Sequence, residues 1–62
     1  MNGYYEKIIA VLREHGFSLV RQGKGAHQIW GKGDVHVAVS TGCKSRHTAN
    51  AIMKEAGIKH HF

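Results

Sequence analysis

The segment Gly23-Lys24-Gly25-Ala26-His27-Gln28-Ile29-Trp30 is a glycine-flanked turn that leads into a short strand, and the other elements are arranged around it. Glycines at positions 23 and 25 let the backbone adopt positive φ angles or approach a phosphate closely. Lys24 places a cation at the tip of the turn, and His27 places an imidazole at the start of the strand. These residues are suited to holding a phosphate and moving a proton, although the residue types alone favour a plain hairpin turn with a surface histidine.

Three strands are expected around this turn: Phe17–Gln22, Ala26–Trp30 and Val35–Ser40. A further turn is expected at residues 31–34, between the second and third strands. In the last of these strands, valines alternate with small or polar residues, which predicts a sheet with one apolar, covered face and one open face. Trp30 is expected on the covered face with the valines. Strand alternation then places Gln28 beside Trp30, and His27 with Ile29 on the open face.

Two amphipathic helices are predicted, over residues 3–15 and about 46–56. In each helix, apolar residues recur at i, i+3, i+4 and i+7: Tyr5, Ile8, Ile9 and Leu12 in the first, and Ala49, Ile52, Met53 and Ala56 in the second. Asn2 and Ser45 are predicted N-caps, and Gly16 and Gly57 are predicted to end the helices. The result is an α+β fold of order α-β-β-β-α, with a three-stranded antiparallel sheet and two helices on one face.

The size and charge of the chain limit its function. Its 62 residues predict a single domain, 1–62, and the basic tail at 59–62 is expected to fray. Nine Lys and Arg against four Asp and Glu give a formal charge of +5, which favours nucleic acid as a partner. The single cysteine, Cys43, is expected to be a free thiol. With no membrane span and no signal peptide in the sequence, a cytoplasmic protein with no membrane partner is expected.

Three segments resemble the HicA toxins of bacterial HicA–HicB toxin–antitoxin pairs, also called YcfA-like proteins: Leu12–Phe17 leading to Arg21, Gly25–Trp30, and Thr48–Ile58. The resemblance extends over nearly the whole chain and depends on the order and spacing of these segments. It implies an α-β-β-β-α fold related to double-stranded RNA-binding domains. It also implies an endoribonuclease that cuts mRNA, arrests growth and is held inactive by a HicB-like antitoxin in a hetero-oligomer. The family histidine corresponds to His27.

The chain departs from the family pattern at two places. Ala26 stands where the family usually has serine or glycine, which removes a hydroxyl next to the histidine. The stretch Ser40–Lys44 lacks the family's proline-x-histidine step, and His47 lies at the wrong spacing to replace it. No role is therefore transferred to His47.

The chemistry expected of such an enzyme assigns a role to each candidate residue. RNA carries its own nucleophile, the ribose 2′-OH, and histidine suits the proton transfer because the pKa of free imidazole is about 6.5. His27 is the hypothesised general acid or base. Phosphate binding is assigned to the side chain of Lys24 and to the backbone amides of the turn residues Gly23, Lys24, Gly25 and Ala26. Arg21 and Lys44 are expected to position the RNA strand.

A second proton donor and a metal site are also considered. His36 is expected to lie across the strands near His27 and is a weaker candidate for the second proton donor. The spacing of His27, His36 and His47 matches no known ligand set, so neither a metal nor another cofactor is expected.

Two other functions fit the same sequence. A non-catalytic RNA-binding module of this fold has the same charge and element order, and it is expected to bind RNA without cutting it. An interaction subunit that acts within a complex would use the open sheet face as a partner surface.

Overall fold

The computed structural model describes residues 3–62, which form the elements α1 (Tyr5–Glu14), β1 (Ser18–Gln22), β2 (His27–Lys32), β3 (Val35–Ser40) and α2 (Arg46–Glu55). The strands form one antiparallel sheet in the order β1-β2-β3. Both helices pack on one face of it, so the predicted α+β fold is confirmed. The predicted cap Asn2 lies outside the described residues, and α1 begins after Tyr4, later than the sequence predicts.

The core lies between the covered face of the sheet and the two helices. Trp30 is 2% exposed and pairs directly with Val37 on β3. This confirms the prediction that Trp30 lies on the covered face with the valines. The sheet contributes Trp30, Val37 and Val39 to the core. The helices contribute buried residues of their predicted apolar stripes: Ile8, Leu12, Ala49, Ile52 and Met53. Burying one such aliphatic side chain stabilises a fold by about 1.5–3 kcal/mol. Val35 lies at the start of β3 and is 40% exposed.

Both helices end at a glycine in the left-handed region, as predicted. Gly16 has φ +89° and Gly57 has φ +75°. In each case the amide of the residue after the glycine donates a hydrogen bond of 2.9 Å to the carbonyl five residues earlier. The amide of Phe17 donates to Leu12, and the amide of Ile58 donates to Met53. The residue after each glycine is buried, so each turn delivers an apolar side chain to the core. Within residues 3–62, neither helix has the length and apolar character needed to cross a membrane.

The turn between β2 and β3 is shorter than the sequence predicts. β2 continues to Lys32, and Gly31 pairs with His36, so residues 31 and 32 belong to the strand. Gly33 and Asp34 suffice for the turn because Gly33 has φ +59°, the sign that the first position of a type II′ turn requires. Gly31 has a packing role instead, since a Cβ there would lie 2.7 Å from Cδ2 of His36 and 2.9 Å from Cγ2 of Val20.

The C-terminal tail packs against the helices, so the prediction that it frays is wrong. The amide of Phe62 donates to Oδ1 of Asn50 at 2.8 Å. The Phe62 ring lies edge-on to the ring of Tyr4, with 5.7 Å between ring centroids. These two contacts tie the last residue to α2 and to the start of α1. They depend on residues far apart in the sequence, which local composition does not reveal.

Candidate functional site

The turn between β1 and β2 is closed by backbone hydrogen bonds that hold His27 at its base. The amide of Gly23 donates to the carbonyl of His27 at 2.8 Å, and the amide of His27 donates to the carbonyl of Lys24 at 3.2 Å. Gly25 has φ +63°, which favours glycine. The Gly23 amide is therefore used in closing the turn. Within the described structure, the amides of Lys24, Gly25 and Ala26 make no hydrogen bond, so these three N–H groups are available to bind a ligand.

The imidazole of His27 is exposed on the open face of the sheet. Its Nδ1 lies 3.3 Å from the carbonyl oxygen of Lys24. A carbonyl oxygen only accepts, so Nδ1 carries the proton of this contact, and the neutral ring then has its lone pair on Nε2. Nε2 has no hydrogen-bond partner among residues 3–62. The ring is thus held by one nitrogen and has the other available as a base.

A β-bulge brings Arg21 to the same face as His27. The pairing of β1 with β2 runs Leu19 with Trp30 and then Arg21 with Ile29, so the register shifts by one residue between them. Unshifted pairing would put Arg21 on the covered face. With the shift, Arg21 becomes a diagonal neighbour of His27, about 7–8 Å away between Cα atoms. Arg21, His27 and the exposed Lys24 therefore belong to one end of the sheet.

Lys44 belongs to a neighbouring part of the same end of the molecule. The loop that carries it is joined to the glycine turn through the amide of Thr41, which donates to the carbonyl of Ala26 at 2.8 Å. Lys44 lines a cleft of about 330 Å³ between this loop and the start of α1, where Tyr5 and Glu6 form the other wall.

The prediction that His36 lies near His27 is wrong. His36 pairs with Gly31, four residues along β2 from His27, which corresponds to about 14 Å at 3.4 Å per residue. The residue that pairs with His27 is Ser40. No three His, Cys, Asp or Glu side chains within residues 3–62 come together in a way that would hold a metal ion.

Gln28 is a residue of the site to which the sequence assigned no role. Its Oε1 accepts from the hydroxyl of Tyr5 at 2.7 Å and from Nε1 of Trp30 at 3.1 Å. Its Nε2 lies 3.5 Å from Oε1 of Gln22, whose own Nε2 donates to the carbonyl of His27 at 3.3 Å. Side-chain contacts therefore connect α1 and the core to the backbone of His27. The available signal was strand alternation, because a polar residue placed on a covered face needs partners there.

The fold and this site together define a class: a small basic α+β domain with an exposed histidine beside a glycine turn on an uncovered sheet face. The family model described as HicA toxin of bacterial toxin–antitoxin matches residues 5–58 of the 62. The chain belongs to the HicA toxin family. Neither the curated proteins nor the solved structures include a significant match to it.

Proposed function

We propose that this HicA-family toxin is a metal-independent endoribonuclease that cuts mRNA, with His27 as the general acid or base. The observation that carries the proposal is the exposed imidazole of His27, held through Nδ1 by the Lys24 carbonyl with Nε2 unpartnered among the described residues. Membership of a toxin family supports an activity that is toxic to the cell, as mRNA cleavage would be. The formal charge of +5 supports a polyanionic substrate.

The proposed reaction uses the ribose of the substrate as the nucleophile. Nε2 of His27 takes the proton of the 2′-OH, the 2′-oxygen bonds to phosphorus, and the bond from phosphorus to the 5′-oxygen breaks. The leaving 5′-oxygen takes a proton from water and His27 returns its proton to the solvent, so the products are a 2′,3′-cyclic phosphate and a 5′-hydroxyl. The amides of Gly25 and Ala26 and the ammonium of Lys24 stabilise the charge that grows on the phosphate. Arg21, on the same face, holds an adjacent phosphate.

The main chain takes the place of the missing hydroxyl in this scheme. Ala26 has no side-chain donor, but its amide makes no hydrogen bond in the described structure, and its carbonyl is anchored by the amide of Thr41. Phosphate binding at this position then depends on backbone geometry, which the positive φ of Gly25 maintains.

A HicB-like antitoxin is the proposed protein partner, forming a hetero-oligomer with the toxin. The family implies a toxin–antitoxin partner. The open sheet face exposes His27 and also carries Val20, which is 51% exposed. A partner that covered this face would bury apolar surface and block the imidazole at the same time.

The test compares cleavage of single-stranded RNA by the purified wild type and by His27→Ala, in the presence of EDTA. A general base contributes about 10²–10⁴-fold to a rate, so His27→Ala is expected to lose at least about 100-fold. His36→Ala is the matched control, because it removes another exposed imidazole from the same face, about 14 Å away at strand spacing. It is expected to cleave like the wild type.

Four results would contradict the proposal. Cleavage by His27→Ala at the wild-type rate would remove the imidazole from the mechanism. Loss of activity in EDTA would show a metal requirement, and cutting at a linkage whose 2′-OH has been replaced by hydrogen would exclude the ribose as nucleophile. RNA binding that weakens with salt but produces no cleavage would identify the non-catalytic RNA-binding module instead.

A further inference from the structure

A second concave basic surface lies on the outer side of α2, where the C-terminal tail folds back along the helix. The residues of α2 that face the sheet are Ala49, Ile52 and Met53. Those that line this surface lie about opposite on the helix, so it opens away from the sheet. We call this surface the α2–tail cleft, and its volume is about 510 Å³. The residues that line it are His47, Asn50, Ala51, Lys54, Ile58, Lys59, His60 and His61.

The tail forms one wall of the cleft because its end is anchored. The Phe62 amide is bound to Oδ1 of Asn50 at 2.8 Å, and the Phe62 ring packs against the rings of Tyr4 and His60 with centroids 5.7 and 4.6 Å apart. Ile58, directly before the tail, is buried. The segment between these two anchors is therefore held beside α2.

The chemistry of the α2–tail cleft favours an anion that carries flat rings. Lys54 and Lys59 supply two ammonium groups, and none of the lining residues is acidic. Because Oδ1 of Asn50 is occupied by the Phe62 amide, its NH₂ group is the part left to donate. Three imidazoles line the same space, and imidazole rings are surfaces on which unpaired bases stack.

We propose that the α2–tail cleft is a second RNA-binding site, in which Lys54 and Lys59 hold phosphates and the imidazoles contact bases. The volume lies within the range that takes a small ligand such as one nucleotide. This inference rests on the proposed function for its substrate, single-stranded RNA. It adds a contact separate from His27, which lies on the opposite side of the sheet from α2. RNA bound at the cleft would be retained while another part of the same strand reaches His27 on the open face.

The test measures the binding of a single-stranded RNA oligonucleotide as a function of potassium chloride, with every protein carrying His27→Ala so that binding does not depend on cleavage. Lys54→Gln with Lys59→Gln removes both cations of the cleft. The magnitude of the slope of log K against log salt is expected to fall by about 1.4, from two lost contacts at about 0.7 each. Lys7→Gln with Lys32→Gln is the matched control, because it removes the same charge from α1 and β2. The control slope is expected to change by less than half as much.

An equal fall in slope for both pairs would show a general charge effect and overturn the proposal, as would an unchanged slope for the cleft pair. All four lysines are exposed, so folding of each variant is checked by its melting temperature. If the wild type cuts no RNA but the cleft pair still changes the slope selectively, the proposed catalysis fails while the cleft proposal stands.

Discussion

At the residue scale, His27 is positioned by its neighbours more than by its own side chain. The ring makes one hydrogen bond, at 3.3 Å, whereas the backbone of residue 27 receives donors from Gly23 and from Gln22. Gln22 in turn is approached by Gln28, which is fixed by Tyr5 and Trp30. The position of the imidazole thus depends on a polar side chain that lies on the covered face of the sheet.

We expect Gln28→Leu to destabilise the fold by about 1–3 kcal/mol, because it leaves the Tyr5 hydroxyl and the Trp30 indole N–H without their shared acceptor. Tyr5→Phe removes a single hydrogen bond and is expected to cost about 1 kcal/mol. Urea unfolding followed by Trp30 fluorescence measures both, since the sequence has one tryptophan. Equal stability of wild type and Gln28→Leu would show that Gln28 has no organising role.

At the element scale, the ends of the helices depend on backbone conformation. A Cβ added at Gly57 would meet no heavy atom within 4 Å, so the cost of a side chain there comes from its φ of +75°. Gly42, in the loop before α2, also has free space around it, but its φ is not positive. The two glycines therefore separate conformational strain from steric crowding.

Gly57→Ala is expected to lower the free energy of unfolding by about 1–2 kcal/mol, the usual penalty for a side chain in the left-handed region. Gly42→Ala is expected to leave stability unchanged or to raise it by less than about 1 kcal/mol, through a less flexible unfolded chain. Chemical denaturation of the two variants beside the wild type makes the comparison. A loss of stability at Gly42 as large as at Gly57 would contradict the conformational explanation.

The elements also show why parts of the fold were predictable from sequence and other parts were not. The helices, β3 and the face of His27 follow from local periodicity, because each pattern is contained within one segment. The β-bulge before Arg21 and the position of His36 depend on how two strands pair, and a shift of one residue changes the face. The docked tail depends on Phe62 meeting Tyr4, at the other end of the chain. The candidate site was thus predictable for His27 and its turn, but not for the neighbours that position them.

At the scale of the whole molecule, a small two-layer domain leaves two surfaces free. Its extents are 30 × 27 × 16 Å, and its helices cover one face of the sheet. The open face carries His27, and the outer side of α2 carries the α2–tail cleft. The tail anchor at Phe62 shapes the second surface without touching the first, which makes it possible to alter one surface at a time.

Phe62→Ala is therefore expected to separate the two proposed roles. Loss of the ring contacts to Tyr4 and His60 should lower stability by about 1–2 kcal/mol and loosen the wall of the α2–tail cleft, because the backbone amide of residue 62 on Oδ1 of Asn50 is then the contact that remains. RNA binding should then depend less steeply on salt, while the cleavage rate at saturating RNA stays within about twofold of the wild type, since His27 and its turn are unchanged. Phe62→Tyr keeps the ring and is the control, expected to match the wild type in both measurements. A fall in the saturated cleavage rate as large as that of His27→Ala, in a variant still folded at the assay temperature, would show that the tail acts on the open face of the sheet and that the two surfaces are not independent.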